Sequence, residues 1–204
     1  MQTVTLYEDS VVHGMTVAQR DEMIRDFPTY DDVRRIERWS IREFMRECAS
    51  LLKGTVLDYG CGLQPYRGLV DGRYVGYDPY MMFAEGNPDD APVKITEASF
   101  DVIMCNQVVQ YLHDPELTLR RLFALLKPGG RLVMTYPTNW CECEDSDLFR
   151  FTQQGMTYLL HRIGFDVDHH TLRAQVAHKN FRFPLGYGVV AYKKLNALRV
   201  LVNQ

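Results

Sequence analysis

Val56-Leu57-Asp58-Tyr59-Gly60-Cys61-Gly62-Leu63-Gln64-Pro65-Tyr66 is the stretch on which the fold turns. A short apolar run ends in a carboxylate, and two glycines follow where the chain must bend. Without a Cβ, Gly60 and Gly62 let the backbone turn sharply and let a ligand come close to it. Pro65 suits the first turn of a helix. A G-x-G by itself also fits a plain strand-to-helix connection, and that reading stands beside the ligand-binding one. Twenty residues after Asp58, a second apolar run ends in Tyr77-Asp78-Pro79. A carboxylate at that place in a mononucleotide-binding fold accepts hydrogen bonds from ribose hydroxyls. A nicotinamide cofactor is the rival, but the third glycine of G-x-G-x-x-G is replaced by Pro65 and Asp58 stands two residues before the first. A carboxylate repels a pyrophosphate and attracts an ammonium group. The chemistry therefore points to a nucleoside cofactor with an amino-acid end and no phosphate.

Outward from this turn, short apolar runs alternate with helical patterns. Strands are expected over residues 55–59, 73–77, 100–105 and 131–136, with closing strands over 165–172 and 186–193. Leu119, Leu122, Phe123 and Leu126 give residues 115–126 a helical stripe closed by Lys127-Pro128-Gly129-Gly130, and residues 152–163 form another helix ended by Gly164. Upstream, Val33, Ile36, Phe44, Cys48 and Leu51 recur at helical spacing over 31–52, capped by Asp31 or Asp32. Arg34, Arg35, Arg38 and Arg42, interspersed with Glu37 and Glu43, read as the solvated face of that helix. The first 30 residues read as an irregular arm with a helical turn near 17–24. Strands alternating with helices imply one α/β domain with a largely parallel sheet covered on both faces. Within it, residues 1–52 form an arm and helix and 53–204 the core.

Composition sets the outer limits. At 204 residues, 46% hydrophobic and 24% charged, the chain is of ordinary globular make-up and one domain in size. A formal charge of −3 supplies no basic field for nucleic acid. No apolar run is long enough to span a bilayer, and the opening MQTVTLYEDS lacks a signal-peptide shape. Five cysteines, an odd number, read as reduced thiols, so a cytoplasmic protein is expected, monomer or homodimer. Cys141-Glu142-Cys143-Glu144-Asp145 has C-x-C spacing, too short for a zinc site, and reads as an acidic loop; no metal is expected.

These motifs resemble those of the class I S-adenosylmethionine-dependent methyltransferases, of the small-molecule, type 11-like kind. Leu57 to Gly62 is similar to the family's first motif and Tyr74 to Asp78 to its second. Ser99-Phe100-Asp101-Val102-Ile103 resembles the entry to the fourth strand, and Leu126-Lys127-Pro128-Gly129-Gly130-Arg131-Leu132 the turn into the fifth. The likeness runs from about Val56 to Lys193 and implies a single Rossmann-like domain with a seven-stranded, mostly parallel sheet. It also implies that Asp58, Gly60, Cys61 and Gly62 meet the methionine end of the cofactor and that Asp78, with Pro79, meets the ribose. On the same basis Asp90 and Ala91 lie at the adenine, with Asp89 an alternative acid, and Asn106 and Gln107 lie near the sulfur. Gln64-Pro65-Tyr66-Arg67 and Asp147-Leu148-Phe149-Arg150-Phe151-Thr152 resemble a bacterial subgroup associated with glycan and secondary-metabolite genes. That subgroup commonly carries a Glu-His pair where this chain has Gln110-Tyr111, ahead of His113-Asp114-Pro115.

Methyl transfer from a sulfonium is an in-line displacement, in which the protein supplies alignment and desolvation and, for a protonated acceptor, a base. The loop after the fourth strand offers Tyr111 and His113 for that base, and a His113 that caps the helix start is the competing account. Tyr136, Asn139 and Trp140, after the fifth strand, read as walls and handles for a small acceptor, a sugar or secondary metabolite. Arg150, in a local ion pair with Asp147, frames the entrance, and Tyr7 and His13 of the arm close over it. A cofactor-binding protein of the same fold without methylating activity is the second hypothesis, and an RNA methyltransferase the third. If His113 is the base, His113→Ala lowers turnover more than acceptor affinity and removes one limb of the rate–pH profile; an unaltered profile retires the assignment.

Overall fold

The computed structural model describes residues 30–78, 96–139, 147–178 and 181–195. Helix α1 (Tyr30–Glu47) leads through a 3-10 turn (Ala49–Leu51) into β1 (Lys53–Tyr59), and a second 3-10 turn (Arg67–Leu69) leads into β2 (Asp71–Tyr77). Then come β3 (Phe100–Asn106), a 3-10 turn (Val109–Tyr111), α2 (Pro115–Leu125), β4 (Leu126–Pro137), α3 (Gln153–Ile163), β5 (Phe165–His178) and β6 (Phe181–Lys193). The sheet order is β2-β1-β3-β4-β6-β5. β1 runs parallel to β2 and β3, and β3 to β4, while β6 is antiparallel to both β4 and β5, so β6 alone runs against the rest. The six described strands include no counterpart of the expected seventh. Residues 79–95, between β2 and β3, lie outside the described residues, as does the arm over 1–29.

Side-chain alternation along the inner strands builds two cores. Val56, Val102, Met104 and Val133 face α1, whose Ile41, Phe44, Met45 and Cys48 pack on them. Leu57, Ile103, Cys105, Leu132 and Met134 face the opposite way, onto Leu119 and Leu122 of α2 and Met156 and Leu160 of α3. The helices are stopped and started by local chemistry. The Asp114 carboxylate accepts the Leu117 N–H with Pro115 in the first turn of α2, and Thr152 Oγ1 accepts the Gly155 N–H at the start of α3. Lys193 Nζ donates to Phe123 O (3.0 Å) and Leu126 O (2.9 Å), placing a cation at the end of α2.

Four expectations need correction. The first helix ends at Glu47 and continues as a 3-10 turn, so the chain tightens before β1 instead of running helically to Leu52. No α-helix follows the glycine turn. Residues 60–70 cross to β2 through one 3-10 turn, and α1 covers that face instead. Lys127-Pro128-Gly129-Gly130 does not separate α2 from β4 but bulges within β4: Phe100 pairs with Leu126, and the next pair is Val102 with Arg131. Asp101 holds that bulge, its Oδ2 accepting both Lys127 Nζ and the Thr55 N–H at 2.8 Å. Finally, Glu37 is not on a solvated face. It is 8% exposed and paired with Arg173, because the sheet under α1 presents a guanidinium there.

Gly188 of β6 lies under the Phe44 ring, where an added Cβ would come within 2.5–2.7 Å of three ring carbons. Gly188→Ala is therefore expected to lower stability by about 1–3 kcal/mol through overpacking. Phe44→Leu in the same chain should recover part of it, as read from urea midpoints.

Candidate functional site

The ends of β1, β2, β3 and β4 form the carboxyl edge of the sheet, where an open α/β fold places its ligands. At this edge the chain leaves β1 through Gly60 (φ 76°) and Gly62 (φ 47°). The N–H groups of Gly60 and Cys61 both donate to Tyr77 O, at 2.7 and 3.2 Å, which locks the turn against the end of β2. A Cβ on Gly60 would sit 2.2 Å from Val108 Cγ2, so space as well as angle demands glycine. The Gly62 N–H donates to Asp78 Oδ2 at 2.9 Å, so this acid braces the turn as well as standing at its mouth.

Behind the turn lies Asp58, only 2% exposed, whose Oδ2 accepts the Tyr74 hydroxyl at 2.7 Å. Burial pushes its carboxyl up to about 7; the Tyr74 hydrogen bond opposes the rise and the charge of Asp78 adds to it. Tyr74 had no signal in the local motif. It pairs across the ladder with Val56, and the residue opposite Asp58 is Gly76, whose small size leaves the phenol room. The Cys61 thiol is buried and pushed up to about 12 by burial and by Asp58 and Asp78, so no thiolate forms at this turn.

At the end of β3, Gln107 takes a left-handed angle (φ 55°) and threads a small network. Its N–H donates to Thr135 O (2.9 Å) and its Nε2 to Thr135 Oγ1 (3.3 Å), and that hydroxyl donates to Asn106 Oδ1 (3.1 Å). Asn106 Nδ2 is left buried with no partner. An unpaired buried donor is costly, and it fits an edge that takes a ligand. Gln110, 3% exposed, donates Nε2 to Gln107 O at 2.9 Å and also keeps an unpaired atom, Oε1. Its backbone carbonyl accepts the N–H groups of Leu148 (2.8 Å) and Phe149 (3.1 Å), which brings residues 147–150 to the same edge. Tyr111 is half-buried beside it. His113 is exposed and does not cap the helix, a part Asp114 takes.

The expected acceptor wall divides. Tyr136 is 0% exposed and in the core, which corrects its assignment to a substrate surface. Its ring meets Phe151 edge-on, and its hydroxyl lies 2.6 Å from His170 Nε2. Burial holds His170 down at about 4, so the ring is neutral there, and its other nitrogen, Nδ1, lies 3.1 Å from Thr157 Oγ1. Asn139 is exposed, and its Nδ2 donates to Pro184 O at 2.9 Å. Arg150 pairs with both carboxylate oxygens of Asp147, whose side chain is 1% exposed, as the three-residue spacing suggests. Tyr7, His13, Pro79, Asp90, Ala91 and Trp140 lie outside the described residues, with the Cys141–Cys143 acidic loop. A cleft of about 380 Å³ between α1 and β5, lined by Phe44, Glu47, Leu51 and Asp168, lies away from the glycine turn. Sequence reasoning also missed Glu37 and Arg173, which meet only through the tertiary fold.

The family described as "Methyltransferase domain" matches residues 33–182. A trans-aconitate 2-methyltransferase of Methylobacterium radiotolerans is 33% identical over 104 residues, covering 42% of this chain and 39% of that protein. The U6 snRNA methylphosphate capping enzyme Amus of Drosophila melanogaster is 35% identical over 65 residues, 28% of this chain and 22% of that one. This chain thus spans between 2% and 39% of the curated relatives it matches. Among solved structures, the methyltransferase in a complex with the Trm112 activator of Haloferax volcanii is similar in fold. Its TM-score is 0.59 at 18% identity, over 76% of this chain and 90% of that one.

The buried acid makes a prediction. Asp58 is raised in the folded state, to about 7 from 3.8, so its contribution to stability is present below pH 4 and lost as pH rises through 7. The three-unit shift corresponds to about 4 kcal/mol. Asp58→Asn keeps an oxygen for Tyr74 and removes the titration. Relative to the variant, the wild type should lose stability from pH 5 to 8 in urea unfolding; parallel curves would contradict the assignment.

Proposed function

From a chain that belongs to the methyltransferase domain family, with S-adenosylmethionine as its cofactor, we propose a transferase that methylates an oxygen or nitrogen of a small molecule. The acceptor class is a sugar or secondary metabolite, attacked in line. The observation that carries this reading is the pair of carboxylates around the glycine turn, Asp58 behind it and Asp78 across it. They fit a ligand with an ammonium group and ribose hydroxyls and oppose one with phosphates. When bound, the cofactor supplies a methyl group already activated on a sulfonium.

The chain's own residues do the rest. The backbone of Gly60, Cys61 and Gly62 with Asp58 holds the amino-acid end, Asp78 and Pro79 the ribose, and Asp90 and Ala91 the adenine. Asn106 Nδ2, unpaired at the end of β3, donates to the bound group, and Gln107 fixes the orientation of that amide through Thr135. Holding acceptor and donor in line is worth roughly 7–11 kcal/mol in favourable systems, so alignment dominates. Where the acceptor is a hydroxyl, exposed His113 takes its proton, with Tyr111 beside it. Asn139, Trp140 and Arg150, with Tyr7 and His13, are the acceptor contacts, Arg150 held by Asp147.

A net charge of −3 weighs against an RNA acceptor, although one matched relative is an RNA-capping enzyme; the trans-aconitate enzyme supports a small-molecule acceptor. Among the described residues no helix is long and apolar enough to cross a membrane, and the free thiols of Cys48, Cys61 and Cys105 support a cytoplasmic setting. A second reading, a cofactor-binding protein that does not methylate, is favoured by one feature: Gln110 occupies the subgroup's glutamate place, and its amide is engaged with Gln107 O.

The test is incubation of the purified chain with methyl-labelled S-adenosylmethionine and separate panels of sugars, phenols, small carboxylic acids including trans-aconitate, and short RNAs. Label in a small molecule is the expected result. Saturable S-adenosylhomocysteine binding with no labelled product in any panel selects the second reading, and label in RNA alone overturns the small-molecule assignment.

A further inference from the structure

Arg173 is a long cation in the second half of β5 with a side chain 0% exposed, and neither the glycine turn nor the β3 network uses it. Burying a guanidinium is costly unless each of its donors is met. Here Nε donates to Tyr187 O (3.0 Å), Nη2 to Tyr136 O (3.2 Å) and Glu37 Oε1 (3.4 Å), and Nη1 to Ser40 Oγ (3.1 Å) and Glu37 O (3.5 Å). One side chain thus joins β4, β6 and helix α1.

Two local irregularities exist where this guanidinium is seated. The β5–β6 register slips between Leu172 and Ala174, leaving Arg173 as the extra residue of a bulge, a device that re-aims a side chain. Gly186 pairs with Ala174 across the ladder, and an added Cβ there would lie 2.0 Å from Arg173 Nη2 and 2.5 Å from Tyr136 O. A strand with regular register and an ordinary residue at 186 would have no room for it.

The place of the clamp gives it a use. Tyr136 is one residue from the end of β4, and the chain leaving it is pinned twice more, Thr138 N–H to Leu185 O (3.0 Å) and Asn139 Nδ2 to Pro184 O (2.9 Å). The chain that returns carries Asp147 and Arg150, and the Arg150 charge acts on Glu37 together with those of Arg173 and Arg38. Helix α1 runs from the Tyr136 level, at Glu37 and Ser40, toward Phe44 over Gly188, so its first turns are at the carboxyl edge. The cofactor residues, by contrast, belong to β1, β2 and β3, on the other half of the sheet.

We infer that Arg173 is a positioning residue for the acceptor half of the site: by tying α1 to the end of β4 and the middle of β6 it sets the rim made by Thr138, Asn139 and residues 147–150, without touching the cofactor half. The inference rests on the proposed methyl transfer for its kinetic consequence but not for its structural one. The tests are therefore paired.

In Arg173→Lys, which keeps the charge but loses the planar fork, amide hydrogen exchange should quicken at least tenfold at Thr138, Leu148 and Phe149. Exchange at Gly60 to Gly62 and the Kd for S-adenosylhomocysteine should stay within twofold of wild type. For any acceptor found to be methylated, KM should rise about tenfold with a smaller change in kcat. Glu37→Gln, which keeps size and one acceptor, should give the same pattern more weakly, and it supplies the readings if Arg173→Lys does not fold. Faster exchange spread evenly to the glycine turn, faster exchange confined to α1, or a parallel loss of cofactor affinity would each overturn the inference. A chain that methylates nothing would refute the proposed function while leaving the exchange and affinity readings to decide this one.

Discussion

A carboxylate withdrawn from water at the end of an inner strand organises this edge of the sheet. Asp58 is satisfied by the Tyr74 hydroxyl, which reaches it because Gly76 stands opposite in the β1–β2 ladder. Once Asp58 is fixed, the chain must turn away at once, and Gly60, crowded by Val108, is the residue that can. Asp78 then closes the arrangement by accepting the Gly62 N–H. The turn is thereby rigid before any ligand arrives, and such preorganisation lets alignment carry a reaction whose donor is already activated. The same burial leaves the acid titrating near neutrality, so the site and the stability of the fold share one proton.

The sheet assigns its work by halves. β1, β2 and β3 carry the glycine turn, the second acid and the Asn106–Gln107 network. β4, β5, β6 and α1, with the connection at 147–150, carry two acid–arginine pairs, Glu37 with Arg173 and Asp147 with Arg150. Between them, Gln110 is the hinge point, bonded through its side chain to Gln107 on one side and through its carbonyl to Leu148 and Phe149 on the other. A neutral amide in this position bridges the halves without adding a buried charge at this edge.

Much of this was legible locally. The glycine turn, the acid before it, the acid ending β2 and the Gly164 stop of α3 were all read from neighbouring residues, because turn angles and helix stops are set within four or five positions. The Asp147–Arg150 pair was equally legible at three residues' separation. Where local reading failed, a distant segment had decided the outcome. Tyr136 looked like a wall for an acceptor because it ends a strand, yet His170 and Phe151 enclose it. Lys127 to Gly130 looked like a connection because it is rich in turn residues, yet Asp101 draws it into the ladder as a bulge.

The sequence by itself determined the strand–turn–acid pattern and the α/β class, since these follow from periodicity and from residues whose backbone freedom is their meaning, and its motifs carried the resemblance to the family. Only the tertiary structure decided which polar groups are buried together. Glu37 and Arg173 stand 136 residues apart and meet because a one-residue slip in β5 and a missing Cβ at Gly186 turn the guanidinium toward α1. Asp58 finds Tyr74 because two parallel strands share one register. Pairings across a sheet depend on register and on the space between elements, and neither quantity is written at any single position of the chain.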